Sequence, residues 1–423
     1  MITRVEVRHY KCLKRVDVRL HPFNILIGPN ASGKSSLLDV FQFLQESLED
    51  DVDKAVTRRT SSFEDLVWKQ GESKEGFEIG LEAEVPQELH RNGYTKLRYE
   101  VAVGLSEERE VVVHSENLWL LSKGTGRRSS FQKNTEKEAE LFIPEIFELQ
   151  DTHILHNGHT PEGYRLVIRK KHWNSNNYFK SESTKWNIAF RLSPKRLSLS
   201  GIPEDKERFP IALWFRDMLR EGIQILRLNS LSMRRSSPID APLSFQSDGS
   251  NLPVMVEKLQ KEYRERYEWW VDHVKTTLQD LEGIEVRERP EDRSRYIVAK
   301  YSNGSVIPAW MLSDGTLRML ALTLLAYLPP KERIVLVEEP ENGMHPKAIH
   351  SVYQALSSVY KGQILVATHS PLFMALAEPK DLLIFSKTSS GATVIVRGDD
   401  HPALKDWRKQ DSLDVLFASG VLG

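Results

Sequence analysis

The chain has 423 residues, 40% hydrophobic and 28% charged, with a formal net charge of −1. That length allows two or three units of ordinary domain size, and the near-neutral balance excludes a global field that gathers nucleic acid, leaving local patches only. The single cysteine, Cys12, excludes an intrachain disulfide and a cysteine-based zinc site.

The opening residues alternate: Ile2, Val5 and Val7, then Val16, Val18 and Leu20, face away from polar neighbours, as in strands. No signal-peptide core follows Met1, and no apolar run reaches the ~18 residues of a membrane span, so a cytoplasmic protein with no membrane partner is expected. Phe23–Ile27 is an apolar run that reads as a buried strand. It leads into Gly28-Pro29-Asn30-Ala31-Ser32-Gly33-Lys34-Ser35, the G-x-x-x-x-G-K-S pattern of a phosphate-binding loop. Leu37, Leu38, Val40, Phe41 and Leu44 follow at helical spacing, so a helix is expected from Lys34 to about Leu48. A glycine turn before an ordinary core helix is the bland alternative, and the strand on one side and helix on the other argue against it. Glycines let the backbone wrap a phosphate, loop N–H groups from Asn30 to Ser36 point at its oxygens, and the helix N-terminus adds partial positive charge. Lys34 is placed to reach the β- and γ-phosphates of ATP, and the Ser35 hydroxyl to hold Mg²⁺.

Between residues 61 and 120 the alternation at Phe77–Val85, Tyr99–Val103 and Val111–Val113 predicts antiparallel strands with one wet face. Residues 121–200 show no sustained period and read as an inserted, loop-heavy subdomain, with Tyr164–Ile168 and Trp186–Arg191 as strands. A helix is expected over Arg208–Glu221, a strand over Ile223–Leu228, and a long helical segment, broken at most once, over Leu252–Leu281. Short strands at Ile284–Val286 and Tyr296–Lys300 follow. From residue 312 helices and strands alternate as in a parallel α/β core: helix Ser313–Leu328, strand Ile334–Val337, helix Pro346–Tyr360, and strands Ile364–Ala367, Leu382–Phe385 and Thr393–Val396.

Two of these strands end in chemistry. Ile334–Val337 runs into Glu338 and Glu339, which places two carboxylates at the ligand-binding edge of an open α/β sheet. Glu338 is suited to hold Mg²⁺ and Glu339 to orient or deprotonate an attacking water. Ile364–Ala367 runs into His369, which can contact a γ-phosphate. Ser313 is an N-cap candidate, and together with Gly315 at a helix start it also makes an anion site.

In this order the elements resemble an ABC-type ATPase head of the SMC/RecF group. Gly28–Ser35 is similar to Walker A, Leu312–Gly315 to the signature motif, Ile334–Glu339 to Walker B, Glu341–Pro346 to the D-loop region and His369 to the switch histidine. The resemblance implies an α/β fold: a β-rich N-terminal lobe and a parallel α/β core, with an inserted α+β subdomain. It divides the chain into an N-terminal core part (1–75), a β-rich insertion (76–230), a helical subdomain (231–311) and a C-terminal core part (312–423). It implies ATP hydrolysis with Mg²⁺, with Lys34, Glu339 and His369 in catalytic roles. It also implies that Ser313 and Gly315 of one copy complete the nucleotide site of another. One P-loop and one signature per chain then require a homodimer, or a higher oligomer built on it. Gln70 is the candidate for the glutamine that senses Mg²⁺, and Lys11 for a basic residue turned toward the nucleotide. Glu338 stands where Asp is usual in Walker B, and Glu341 where Asp is usual in the D-loop.

More narrowly, EEPENGMHP, the opening VRHYKCLKRVDV and the Ser247–Leu252 stretch resemble compact bacterial ATPases related to the OLD family, whose members act with a TOPRIM-type nuclease. About 50 residues follow His369, too few for a fused nuclease, so a separately encoded nuclease or toxin-type effector is the expected partner, in antiphage defence. The alternatives are a RecF-like repair ATPase that binds DNA directly and a non-catalytic nucleotide-gated scaffold. Basic clusters at Arg127-Arg128, Arg169–Lys171, Lys195-Arg196 and Arg234-Arg235, the second followed by Trp173, Tyr178, Phe179 and Trp186, read as solvated loops, with nucleic-acid binding as the alternative. His153, His156 and His159 read as loop residues rather than metal ligands.

Overall fold

The structure, a computed structural model, describes residues 1–71, 76–90, 92–124, 143–156, 160–404 and 413–418. The chain opens with β1 (Ile2–Tyr10), β2 (Leu13–Arg19) and β3 (Phe23–Ile27), then α1 (Lys34–Glu49) and α2 (Val52–Thr57). Strands β4 (Phe77–Glu84), β5 (Tyr94–Leu105) and β6 (Val111–Ser122) lead through α3 (Pro144–Phe147) to β7 (Tyr164–Lys170), β8 (Asn177–Lys180) and β9 (Asn187–Phe190). Then come α4 (Pro210–Glu221), β10 (Ile223–Leu226), α5 (Ser230–Met233), α6 (Leu252–Glu262), α7 (Arg264–Thr277), β11 (Leu281–Glu288), β12 (Arg295–Tyr301) and β13 (Val306–Pro308). The last part is α8 (Asp314–Tyr327), β14 (Arg333–Glu338), α9 (Pro346–Ser357), β15 (Gly362–Ala367), α10 (Pro371–Ala375), β16 (Leu382–Lys387), β17 (Thr393–Arg397) and α11 (Leu413–Ala418).

Three sheets organise these elements. An antiparallel sheet runs β2-β1-β4-β5-β6-β7-β8-β9, a second runs β10-β14-β15-β3-β16-β17, and a small third runs β11-β12-β13. The second is parallel from β10 to β16 and gains one antiparallel edge strand, β17. Its central strand β3 is wholly buried, as its unbroken apolar run requires. Strand β3 pairs with β15 and β16, which lie more than 330 residues later in sequence. The two ends of the chain thus build one core sheet, to which the described residues between β3 and β14 add one strand, β10.

One expectation is corrected by the first sheet, which takes β1 and β2 from the opening residues and β4 to β9 from the 76–230 stretch. Its polar face is not wet: Arg4, Glu6, Asp17, Glu82, Arg98 and Glu100 are all buried. Arg4 pairs with Asp17 at 2.6 Å, Arg15 with Glu6 at 2.9 Å, and Arg98 with Glu6, Glu82 and Glu100 at 2.5, 2.8 and 2.6 Å. A segment at residues 151–156 lies across this face. Asp151 accepts from Arg8 at 2.7 Å, the Ile154 amide donates to Glu78 at 2.6 Å and the His156 amide to Glu100 at 3.0 Å. Ile154 itself is buried against Gly80, where a Cβ would stand 2.7 Å from its Cγ2. Buried charges survive because each has opposite charge and hydrogen bonds around it. Burial works to raise the Glu6 carboxyl, but Arg98, Arg4 and Arg15 hold it down at about 2.

The long helical segment breaks once, at Tyr263, between α6 and α7. Trp270 on α7 is fully buried and its indole donates to Thr323 of α8 at 3.0 Å, which docks the helical part on the core. Among the described residues no helix is long and apolar enough to cross a membrane.

Candidate nucleotide site

Strand β3 delivers the chain to the phosphate-binding loop, and α1 starts on Gly33, whose φ of 108° lies in the left-handed region. Glycine is needed there twice over. A Cβ at Gly33 would meet the Thr393 hydroxyl at 2.6 Å, and one at Gly28, φ 149°, would meet the Phe385 carbonyl at 2.4 Å. Strands β16 and β17 therefore press the loop from behind, with Thr393 donating to the Ser32 carbonyl at 2.8 Å. Beneath the loop the Ser32 hydroxyl is buried with no protein partner. The cradle and this orphaned hydroxyl fit a bound phosphate. The Lys34 ammonium folds back onto the Gly28 and Pro29 carbonyls at 2.8 and 2.9 Å, standing where a terminal phosphate would take it over. Burial depresses Lys34 to about 8, against the opposing pull of the Glu339 carboxylate.

Ser35, Glu338 and Lys11 line one cavity of about 180 Å³, together with Asp39, Gln42 and Arg227. A serine hydroxyl and a carboxylate are the hard oxygen donors that suit Mg²⁺, which takes one or two protein ligands and completes its shell with phosphate and water. Lys11 reaches this cavity from a left-handed turn at φ 52°, but its ammonium is held by Asp39 at 2.5 Å. Asp39 also accepts from Tyr10 at 2.6 Å and pairs with Arg59 at 2.7 Å. Asp39, Gln42 and Arg227 were not marked as site residues from sequence. Ser35, Leu38, Asp39 and Gln42 fall at i, i+3, i+4 and i+7 along α1, so helical spacing from Ser35 was the available signal. The backbone of Gln70 lies in a short helical turn, Trp68–Gly71, and its side chain lies outside the described residues.

At the end of β14 the chain turns sharply: Glu339 has φ 47° and its amide donates to the Ala367 carbonyl at 2.8 Å. The turn exposes the Glu339 side chain, which accepts from Asn342 at 2.5 Å. Glu341 points the other way. It accepts from the Thr368 hydroxyl at 2.6 Å and from the His369 amide at 3.1 Å, tying the loop after β14 to the loop after β15. Burial lowers the His369 imidazole below its ordinary value, and the Lys34 charge adds to this.

Ser313 caps α8 as expected, accepting from the Thr316 amide at 3.1 Å. Arg234 pairs with Asp314 at 2.5 Å and donates to the Leu312 carbonyl at 3.0 Å, so one of the basic clusters serves to brace this helix start. A Cβ at Gly315 would stand 2.4 Å from the Gly343 carbonyl, so the glycine lets α8 rest directly on the loop after β14. Ser313, Gly315 and Thr316 line a cavity of about 300 Å³ with Gly343, His345 and Lys347. It shares no lining residue with the cavity around Ser35 and Glu338.

Other sequence candidates fall away from the site. Lys170 and Phe179 are buried in the first sheet and Trp186 stacks under Arg208 at 4.6 Å, whereas Lys171 and Tyr178 are exposed, Lys171 in the loop between β7 and β8. Arg127 and Arg128 lie outside the described residues, as does His159. His153 sits beside Glu78 at 2.5 Å, and no group of three or more metal-ligating side chains occurs among the described residues.

No curated protein matched the sequence. Among solved structures, an SMC head bound to the C-terminal winged-helix domain of ScpA matches with a TM-score of 0.50 at 14% identity, covering 93% of this chain and 96% of that one. The SMC head domain of Thermotoga maritima matches at 12% identity and TM-score 0.42, covering 94% of this chain and 98% of that one. An SMC head with an extended coiled coil from Pyrococcus furiosus, bound to the C-terminal domain of ScpA, matches at 14% and 0.45, covering 93% and 95%. The first of these carries the fold assignment, an SMC-head type of ABC ATPase fold. A family model described as "AAA domain, putative AbiEii toxin, Type IV TA system" matches residues 23–375, from the strand before the phosphate-binding loop to the helix after His369. With a matched span that takes in the loop, both carboxylates and the capped α8, this chain belongs to that family of AAA domains.

Proposed function

We propose that the protein is an ATPase whose two copies close around ATP, and that the closed state controls a separately encoded nuclease or toxin-type effector, in antiphage defence. The observation that carries this reading is the separation of the two half-sites. Ser35 and Glu338, next to Lys34 on the phosphate-loop side, and Ser313 and Gly315 at the start of α8 line different cavities of one chain. Two copies related by a two-fold axis would each supply what the other lacks. In such a closed state the loop amides and Lys34 bind the phosphates. Ser35 and Glu338 would hold Mg²⁺, which supplies charge neutralisation at the phosphate oxygens. Glu339, exposed at its turn, takes the proton of the attacking water, while His369 contacts the γ-phosphate. The contact from the second copy's Ser313–Gly315 helix start exists only when both copies are in place, so ATP favours the closed pair and hydrolysis releases it.

The family description names a putative toxin of a toxin–antitoxin system, and the matched SMC head was solved with a ScpA domain on it. Both support a protein partner over direct DNA binding. The test is Glu339→Gln, which keeps the ligand geometry and removes the base. Light scattering after gel filtration with ATP and Mg²⁺ should give a dimer that ADP does not support. A monomer under both conditions would refute the proposal.

A further inference from the structure

At the other end of the parallel sheet lies a cavity of about 490 Å³, within the size range of small-molecule sites. It opens where β10 and β14 begin, at the paired Ile223 and Ile334. The P-loop edge lies at the far end of β14, about 17 Å of strand away. Its walls include Phe245, Met255, Leu259 and Tyr263, the last at the break between α6 and α7.

Three cations line this apolar pocket: Lys258, Lys331 and Arg333. The lone lining carboxylate, Glu221, is paired with Arg220 at 2.8 Å. Arg333 donates one guanidinium nitrogen to the Leu325 carbonyl at 2.8 Å, while its Nε is buried with no hydrogen-bond partner. Burial lowers this guanidinium to about 10, with no carboxylate offsetting it. A buried, under-satisfied guanidinium is costly unless something anionic completes it. The first sheet shows the contrast, since Arg4 and Arg98 there each have carboxylates in contact.

The geometry points to a second ligand site here, for a small organic anion with a carboxylate, sulfonate or phosphate head on Arg333, Lys258 and Lys331 and an apolar or aromatic body against Phe245, Met255 and Leu259. The planar guanidinium supplies directional donors for such a head, and the two ammonium groups add charge at the mouth.

The probe is 8-anilinonaphthalene-1-sulfonate, read by fluorescence on the full-length protein, with neutral N-phenyl-1-naphthylamine as the uncharged control. The expected result is saturable binding that persists with ATP and Mg²⁺ present and weakens roughly 10- to 100-fold in Arg333→Met, as for loss of a charge-assisted hydrogen bond. Lys258→Glu, a change on the surface of α6, should weaken it at least about fivefold and decides the matter alone if Arg333→Met does not fold. Binding unchanged in both variants, equal binding of the neutral amine, or displacement by ATP would overturn the assignment.

Discussion

Lys34 offers a prediction that can be worked from the structure. Its ammonium is buried against the Gly28 and Pro29 carbonyls and titrates at about 8 in the free protein, with Glu339 and His369 as the charged and titratable groups nearest its field. The phosphates need the charged form. Because the free-state pKa is depressed, charge is present below about 8 and is lost as pH rises through that value. About nine in ten copies are charged at pH 7 and about one in ten at pH 9, from a midpoint of about 8. Apparent affinity scales with the competent fraction, so ATP should bind about tenfold more weakly at pH 9 than at pH 7. His369, whose value is lowered by burial and by the Lys34 charge, favours its neutral form in the free protein. Calorimetry in buffers of different ionisation enthalpy, with saturating Mg²⁺, should also record proton uptake on binding near pH 8.5. Equal affinity at both pH values with no proton uptake would refute the account of Lys34.

Two further predictions concern positioning and stability. Glu341→Ala removes the acceptor for Thr368 and the His369 amide; turnover should fall by roughly 10- to 100-fold with ATP affinity within about twofold, so a parallel loss of affinity would contradict a positioning role. Arg98→Ala removes the cation shared by Glu6, Glu82 and Glu100, leaves Glu100, in the buried face of the first sheet, without an ion-pair partner among the described residues and should cost about 3–5 kcal/mol, read as a lowered denaturant midpoint, whereas an unchanged midpoint would mean that water reaches this face.

The phosphate loop and the two acid- and histidine-ended strands were legible in the sequence because each rests on a local rule. An apolar run fixes a buried strand, and the residues just beyond its end must lie at the sheet edge. The parallel core could be read from alternation alone, and β14 and β15 fall within two residues of their expected bounds. The face of the first sheet was misread because alternation reports that two faces differ, not what covers the polar one. Its cover comes from residues 151–156, with no periodicity to announce it. The strand β8 was missed for the same reason: four residues, Asn177–Lys180, have too little pattern to stand out. Gly315 read as part of an anion site, and its close approach to Gly343 could be found only in three dimensions.

In the proposed closed state each nucleotide is held by two copies, and complementation between two inactive variants distinguishes this from a site within one chain. Lys34→Ala and Ser313→Arg should each abolish phosphate release alone. Mixed in equal amounts, half of the dimers pair one of each and carry one intact site of two, so about one quarter of the wild-type rate should return. A mixture no more active than its inactive parents, with exchange of copies verified, would contradict the account.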